Sequence, residues 1–191
     1  FWEAWVYMAL LILASGSVMV YFLKHDPELL DRRMRLKEKE QKQKAIIKWG
    51  YPVFSLFLLL PGLDQRYGWS EVPLPLVLAA DGGVLAGYFL FIRVLRENRY
   101  ASRIIEVEKA QKVVTTGLYA VVRHPMYFAA SLLYAFSALA PGSYWALIPV
   151  AFMLAVLVAR ILNEESVLKK ELEGYEEYTQ KTRYRLIPGV W

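Results

Sequence analysis

The chain has 191 residues, about the length of one domain, and 57% of them are hydrophobic, more than the roughly half that is typical of soluble folds. It contains no cysteine and only two histidines, His25 and His124, which excludes disulfides and thiolate metal sites and argues against metal catalysis. The net charge of +5 comes from stretches between apolar runs, so it indicates membrane topology and not a nucleic-acid surface. The composition therefore indicates a membrane protein.

Five apolar runs follow one another along the chain, at residues 2–23, 46–63, 72–95, 126–140 and 144–162. The last two are short for a span of about 20 residues. Each run is too uniformly apolar for an alternating barrel strand, so we predict an all-α polytopic membrane protein with about five transmembrane helices. A cleaved signal peptide is an alternative for the first run, but this run has Glu3 at its start and the positive charges follow it, which favours a retained helix.

Lysine and arginine lie mostly on one side of these runs. Residues 24–48 hold nine of them, residues 96–124 and 160–191 hold six each, and Arg66 lies in a loop on the opposite side. By the positive-inside rule, we expect the N-terminus outside and the C-terminus in the cytoplasm of a bacterial inner membrane or its equivalent. A functional site is then expected on the cytoplasmic side, among residues 96–127 and 160–191.

Segment 24–48 mixes charges of both signs, as in Lys-Glu-Lys-Glu-Gln-Lys-Gln-Lys at residues 37–44. This pattern is typical of a solvated helix beside anionic headgroups, and we interpret the segment as a charged topology determinant. Nucleic-acid binding is less consistent with it, because glutamates interrupt the basic residues and no aromatic platform accompanies them.

The most informative stretch is residues 111–127, which ends where the fourth apolar run begins. Pro125 fits the first turn of a helix, so Arg123 and His124 are expected at a helix N-terminus. A cation there opposes the helix dipole unless an anion lies nearby, which predicts a carboxylate or phosphate ligand at Arg123. The alternative is an ordinary interfacial arginine that reaches toward lipid headgroups.

A second group of polar residues lies at the end of the fifth apolar run: Arg160, Asn163, Glu164 and Glu165. Ionisable groups at membrane depth indicate function. The alternative is a helix-surface ladder, because Arg160 with Glu164 and Glu165 with Lys169 are i,i+4 pairs. Adjacent helical residues point about 100° apart, so at most one of the two glutamates is expected to face a ligand squarely.

Together the two stretches offer an anion site and a cation site, with aromatic side chains, Tyr119 and Tyr127, between them. A zwitterionic amino-acid ligand fits both sites. The Gly-x-Tyr and Arg-His-Pro-x-Tyr motifs within residues 113–127, the Glu-Glu pair and the motifs at 174–178 and 183–188 resemble the isoprenylcysteine carboxyl methyltransferase superfamily, which includes the phospholipid N-methyltransferases. The resemblance covers roughly residues 80–191 and departs from the family's common glycine just after Tyr127.

This resemblance implies an S-adenosylmethionine-dependent methyltransferase that releases S-adenosylhomocysteine and binds its cofactor at the cytoplasmic end of the last helices. One membrane-embedded domain would consist of N-terminal helices with a basic loop, residues 1–75, and a catalytic core, residues 76–191. Carried over by position, the cofactor-binding residues would be Gln111, Val113, Gly117, Tyr119, Arg123, His124, Tyr127, Glu164 and Glu165.

Methyl transfer from a sulfonium is an in-line displacement in which the protein supplies alignment and exclusion of water. A carboxylate acceptor like that of an isoprenylcysteine needs a cation or donor, for which Arg160, Arg93 and Asn163 are candidates. An amine or thiol needs a base, such as His124 or a glutamate. We therefore name Arg160, Asn163 and Glu164 as candidate catalytic residues acting on a lipophilic, lipid-linked or amphipathic acceptor. The alternative is a non-enzymatic membrane protein that binds lipid or cofactor without turnover.

Three glycines lie inside the third apolar run, at Gly82, Gly83 and Gly87. Within a membrane helix, a Gly-xxx-Gly spacing favours close packing of a neighbouring helix over a phosphate-binding turn. Asp81 precedes them and is expected to be a hydrogen-bonded residue of the outer leaflet, with a polar path as the alternative.

Overall fold

The apolar runs fold as long helices in a computed structural model that describes residues 1–35, 38 and 41–191. These residues form seven α-helices and one 3-10 turn, and they contain no strand, as the predicted all-α class requires. The helices are α1 (Trp2–His25), α2 (Pro27–Met34), α3 (Gln41–Tyr67), α4 (Leu74–Glu97), α5 (Pro125–Leu139), α6 (Leu147–Glu171) and α7 (Tyr175–Lys181), and the 3-10 turn is Gly117–Ala120.

Within the described residues, four helices are long and apolar enough to cross a membrane: α1, α3, α4 and α6. Their surfaces expose large apolar side chains such as Leu13, Leu58, Phe89 and Phe152, which suits helices that contact lipid. The predicted fifth span corresponds to α5. This helix has 15 residues, so its rise of about 22 Å is shorter than the roughly 30 Å hydrocarbon core.

Two helices extend well beyond the predicted runs, by more than three residues at one or both ends. Helix α3 begins at Gln41 rather than at residue 46, and α6 continues past residue 162 to Glu171. The short helices α2 and α7 lie in segments without an apolar run. The reason is that hydropathy marks the part of a helix that faces lipid, whereas helical hydrogen bonding continues through polar residues.

Neighbouring helices pack in the spatial order α1, α4, α5, α6, α3. The most extensive contact joins α4 to α5, where Gly83 faces Phe136 and Gly87 faces Leu133. A Cβ atom at Gly83 would lie 2.4 Å from the Phe136 ring, and one at Gly87 would lie 2.9 Å from Leu133. The predicted glycine packing of this helix is therefore confirmed, because only glycine permits so close an approach.

Asp81, which precedes these glycines, is buried in α4. Its Oδ1 atom has no hydrogen-bond partner among the described residues. The expectation of a hydrogen-bonded aspartate was therefore wrong for this oxygen.

The buried carboxylate of Asp64 links the loops by hydrogen bonds at one end of the bundle, which we call the hairpin end. Asp64 accepts hydrogen bonds from the amide of Ser70 at 2.7 Å, from its hydroxyl at 2.6 Å and from the hydroxyl of Ser143 at 2.5 Å. Ser143 follows Gly142, whose φ of 85° completes the turn between α5 and α6. The opposite end, where α4 and α6 end and α5 begins, is called the site end.

Helix α2 lies at the site end, against the segment that joins α4 to α5, which we call loop 98–116. Arg32 pairs with Glu108 at 2.8 Å, and Arg35 pairs with Glu106 at 2.6 Å. Segment 24–48 is thus more than a solvated topology determinant, because its arginines hold a loop from another part of the chain. Of the alternating charges predicted there, residues 37, 39 and 40, together with residue 36, lie outside the described residues.

Candidate functional site

A polar cavity lies at the site end, enclosed by loop 98–116, the first turn of α5, the last turns of α6, and α7. The cavity volume there is about 90 Å³, below the range of about 300–1,000 Å³ typical of small-molecule sites. The polar residues that line it are Asn98, Tyr100, Ser102, Glu106, Gln111, Lys112, Tyr119, Arg123, His124, Tyr127, Glu164, Tyr175 and Tyr178.

Most of the predicted cofactor-binding residues lie at this cavity. They are Gln111, Val113, Tyr119, Arg123, His124, Tyr127 and Glu164. Two others, Gly117 and Glu165, are not part of the wall. Of the predicted catalytic residues, Glu164 lines the cavity, whereas Arg160 and Asn163 do not.

Pro125 begins α5, as predicted, and this places Arg123 and His124 at the N-terminal end of the helix. Arg123 donates from Nε to Glu165 Oε1 over 2.6 Å, and both side chains are buried. His124 Nε2 lies 3.3 Å from the same oxygen, and Arg185 Nε donates to Glu165 Oε2 over 2.9 Å. Glu165 is therefore surrounded by three basic side chains from two parts of the chain, the start of α5 and the segment after α7.

The C-terminal segment is bound to the same turn. Arg123 Nη1 donates to the carbonyl oxygens of Thr182 and Arg183 over 2.8 Å each. The backbone amide of Arg123 donates to Tyr184, and that of His124 donates to Arg185, over 2.9 Å in both cases. These contacts hold residues 182–185 beside the start of α5.

The sequence left open which of the two glutamates faces a ligand, and in the structure Glu165 is already engaged by Arg123, His124 and Arg185. The anion that Arg123 requires at the start of α5 is the carboxylate of Glu165 itself, because it compensates both the guanidinium and the positive end of the helix dipole. The pairing of Glu165 with Lys169, considered as an alternative, does not form among the described residues. Glu165 thus acts as a structural counter-ion between α5 and α6.

Glu164 points into the cavity, about 100° around α6 from Glu165, as helical geometry predicts. Tyr127 Oη donates to Glu164 Oε2 over 2.5 Å and accepts from Arg160 Nε over 2.6 Å. Arg160 also donates to the carbonyl of Arg103. Arg160 therefore lies behind Tyr127 and fixes its hydroxyl, rather than lining the cavity.

Asn163 lies on another face of α6. Its Nδ2 donates to Gln43 Oε1 in α3 over 3.4 Å, so its side chain belongs to the packing of α6 against α3. Gly117 begins the 3-10 turn with a φ of 56°, a left-handed conformation that favours glycine. A Cβ atom there would lie 2.9 Å from the Glu97 carboxyl group, so Gly117 shapes the turn that leads to Tyr119.

Helix α7 contributes two tyrosines to which the sequence assigned no role, Tyr175 and Tyr178. Tyr178 Oη donates to the carbonyl of Tyr119 over 2.7 Å, and burial raises the pKa of Tyr178 to about 12. Tyr175 Oη is buried without a hydrogen-bond partner in the described chain, and burial raises the pKa of its hydroxyl as well. The sequence feature that could have identified these two tyrosines is their i,i+3 spacing, which places both on one face of a helix.

Asn98, at the end of α4, is a further residue that the sequence did not single out. Its Nδ2 donates to Tyr119 Oη over 2.9 Å. Tyr119 is therefore held at both its hydroxyl and its carbonyl, which fixes one wall of the cavity.

The fold defines a polytopic membrane protein with a cavity at the end of the bundle where α4 and α6 end. A profile of the phospholipid methyltransferase family matches residues 77–174, just over half of the chain. The chain belongs to this family of integral membrane methyltransferases, as the resemblance predicted. The matched residues include loop 98–116 and both members of the Arg123–Glu165 pair. No curated protein matches the chain.

Proposed function

We propose that this protein is an S-adenosylmethionine-dependent methyltransferase that acts on a lipophilic or amphipathic acceptor. Family membership supports methyl transfer. The observation that carries the cofactor assignment is that the carboxylate of Glu164 and the ammonium group of Lys112 line the same cavity. A zwitterionic amino acid carries the complementary charges.

The residues present fit this cofactor. Glu164 accepts one described hydrogen bond, from Tyr127, so it retains acceptor capacity for an ammonium group. Lys112 is exposed at the cavity and has no ion-pair partner among the described residues, so it can meet a carboxylate. The partnerless hydroxyl of Tyr175 supplies a buried donor on the same wall.

When bound, S-adenosylmethionine supplies a methyl group on a sulfonium and leaves as S-adenosylhomocysteine. The chain aligns the reacting groups and excludes water. Glu165 fixes the positions of Arg123 and His124, and Arg160 fixes the hydroxyl of Tyr127. For an amine or thiol acceptor, His124 would take the proton, since Glu164 is assigned to the ammonium group of the cofactor. For a carboxylate acceptor, Arg160 would hold the Tyr127 oxygen while the hydroxyl proton turns from Glu164 to the acceptor.

We further propose that the site end faces the cytoplasm, with the N-terminus outside. Segments 24–48, 96–124 and 160–191, which hold most of the lysines and arginines, all join the helices at this end. The cofactor then enters from the cytosol and the acceptor from the inner leaflet. In this arrangement residues 76–191 form the catalytic core, and residues 1–75 support it through α2.

Calorimetric titration of the purified chain in detergent with S-adenosylhomocysteine and S-adenosylmethionine tests the cofactor assignment. Saturable binding of both is expected. Membranes that contain the protein are then incubated with S-adenosylmethionine carrying a labelled methyl group, and the extracted lipids are analysed by mass spectrometry. Label in a lipid is expected with the wild-type chain. Binding without label would favour a non-enzymatic cofactor-binding protein, and absence of binding would overturn the proposal.

A further inference from the structure

Loop 98–116 forms one side of the cavity, although it contains no helix or strand along its described length. Tyr100, Ser102, Ile105 and Gln111 of this loop line the cavity. The cavity volume of about 90 Å³ is too small for a ligand of cofactor size, because sites for such ligands measure about 300–1,000 Å³. Such a ligand enters only when part of the wall moves, and the loop is the longest part of the wall without helical hydrogen bonding.

Helix α2 holds this loop through ion pairs that cross from one element to the other. Arg32 Nε donates to Glu108 Oε1 over 2.8 Å. Arg35 Nη1 lies 2.6 Å from Glu106 Oε1 and 3.6 Å from Glu108 Oε1. These four side chains, which we call the ionic latch, join α2 to the middle of the loop.

Uncharged hydrogen bonds bring the same two elements together. Arg33 Nη1 donates to the carbonyl of Ser102 over 3.1 Å, and the Ser102 hydroxyl donates to the carbonyl of Arg32 over 3.4 Å. The Ile105 amide donates to the carboxylate of Glu38, beyond α2, over 3.2 Å. The middle of the loop thus takes from α2 and Glu38 hydrogen bonds that a helix or strand would otherwise supply.

The ionic latch is accessible to solvent and holds a strained loop. The Arg35 side chain is 39% exposed and that of Glu108 is 26% exposed. Ion pairs in contact with water contribute little individually and weaken as the salt concentration rises. Ala110, just beyond the latch, has a φ of 65°, a left-handed conformation that is unfavourable for a residue with a Cβ atom. The contacts with α2 therefore hold the loop closed against this strain.

We propose that loop 98–116 is a lid over the cavity and that the ionic latch of α2 controls its opening. This rests on the proposed function for the identity of the ligand, and it adds how that ligand reaches the site. Opening breaks the latch pairs and exposes Ile105. Asn98 and Val113 stay attached at the two ends of the lid, through the hydrogen bond to Tyr119 and through packing against α7. Helix α2 lies outside the residues matched by the family profile.

The test measures how fast a thiol at position 105 reacts with a maleimide in the full-length protein in detergent. Ile105→Cys supplies the only thiol, because the chain has no cysteine. Ile105 is 7% exposed, so the thiol reacts when the lid opens. In this background Glu108→Gln is expected to raise the labelling rate about threefold to tenfold. Glu108 is the decisive position, because it contacts both latch arginines and is not part of the cavity wall.

Glu28→Gln is the matched control. Glu28 pairs with Arg32 at 3.8 Å, but within α2, so its replacement is expected to leave the labelling rate unchanged. Ala146→Cys, in place of the thiol at position 105, reports unfolding of the bundle from the buried hairpin end, and its labelling is expected to stay slow with Glu108→Gln. Equal rates at position 105 for the two glutamate variants, or equal acceleration of labelling at position 146, would overturn the proposal.

Salt and ligand provide two further readouts at position 105. Higher salt is expected to accelerate labelling when the latch is intact and to have a smaller effect with Glu108→Gln, because ions screen exposed pairs. No effect of salt on the intact latch would count against the proposal. Saturating S-adenosylhomocysteine is expected to slow labelling, because it occupies the closed cavity. Acceleration by Glu108→Gln without any response to S-adenosylhomocysteine would support the latch and count against the proposed function instead.

Discussion

Arg123 and Glu165 form a buried ion pair, 2.6 Å from Nε to Oε1, that joins the start of α5 to the last turns of α6. Each partner has further bonds: Arg123 to two carbonyls of the C-terminal segment, and Glu165 to Arg185. A single carboxylate thus connects two long helices and the segment that follows α7. The cavity beside it depends on this connection, since Arg123 and His124 form part of its wall.

Replacing Glu165 with alanine is expected to destabilise the protein by about 3–5 kcal/mol, because it leaves a buried guanidinium without its counter-charge. The measurement is thermal unfolding in detergent, followed by size-exclusion chromatography. Glu173→Ala removes an exposed carboxylate just beyond α6 and is expected to leave the unfolding temperature unchanged. A normal unfolding temperature together with weakened S-adenosylhomocysteine binding would instead support the sequence-based expectation that Glu165 contacts the ligand.

Glu164→Gln is expected to weaken ligand binding without lowering the unfolding temperature. Its side chain lines the cavity and its only described hydrogen bond comes from Tyr127, so an amide of the same shape preserves the fold. Loss of the charge is expected to weaken S-adenosylhomocysteine binding by about tenfold to a hundredfold. Calorimetry measures the affinity, and Glu171→Gln, at the exposed end of the same helix, is the control. If affinity in Glu164→Gln equals that of the wild type, Glu164 does not hold the cofactor.

The difference between these two adjacent glutamates shows what the sequence could establish. The 100° turn between neighbouring residues predicts that only one of them faces a ligand, and Pro125 fixes the start of α5. Which glutamate faces the cavity depends on a partner 42 residues away, Arg123. No local pattern specifies such a contact. For the same reason, the sequence of segment 24–48 shows which residues are charged, but it does not show that α2 contacts loop 98–116.

Tyr175→Phe and Tyr178→Phe form a matched pair on α7. Tyr178 donates to Tyr119, so its replacement is expected to cost about 1 kcal/mol of stability. Tyr175 has no described partner to lose, so its replacement is expected to leave thermal unfolding unchanged but to weaken S-adenosylhomocysteine binding several-fold. Unfolding temperature and calorimetric affinity are measured for both. Unchanged affinity in Tyr175→Phe would show that its hydroxyl does not meet the ligand.

Alkaline pH is expected to reduce the stability of the wild-type chain more than that of Tyr178→Phe. Burial raises the pKa of Tyr178 to about 12, above the value of about 10 for an unfolded tyrosine. The folded chain thus holds this proton more tightly, so the contribution is complete below pH 10 and is lost as the pH rises toward 12. Unfolding temperatures of both proteins across this interval measure the difference. Parallel curves would show that Tyr178 ionises equally in both states.

Gly83→Ala and Gly82→Ala test the contact between α4 and α5 with the same chemical change at adjacent positions. A Cβ atom at Gly83 would lie 2.4 Å from the Phe136 ring, whereas one at Gly82 has no neighbour within 4 Å. Gly83→Ala is therefore expected to cost about 1–3 kcal/mol through overpacking. Gly82→Ala is expected to be neutral or stabilising, because alanine has the higher helix propensity. Thermal unfolding in detergent separates the two.

Since α5 carries Tyr127 to the cavity, the Gly83 variant is also expected to weaken S-adenosylhomocysteine binding. Phe136→Leu in the same chain should recover part of both losses, that of stability and that of binding. Equal unfolding temperatures for the two glycine variants would mean that α4 and α5 do not approach this closely in the membrane protein.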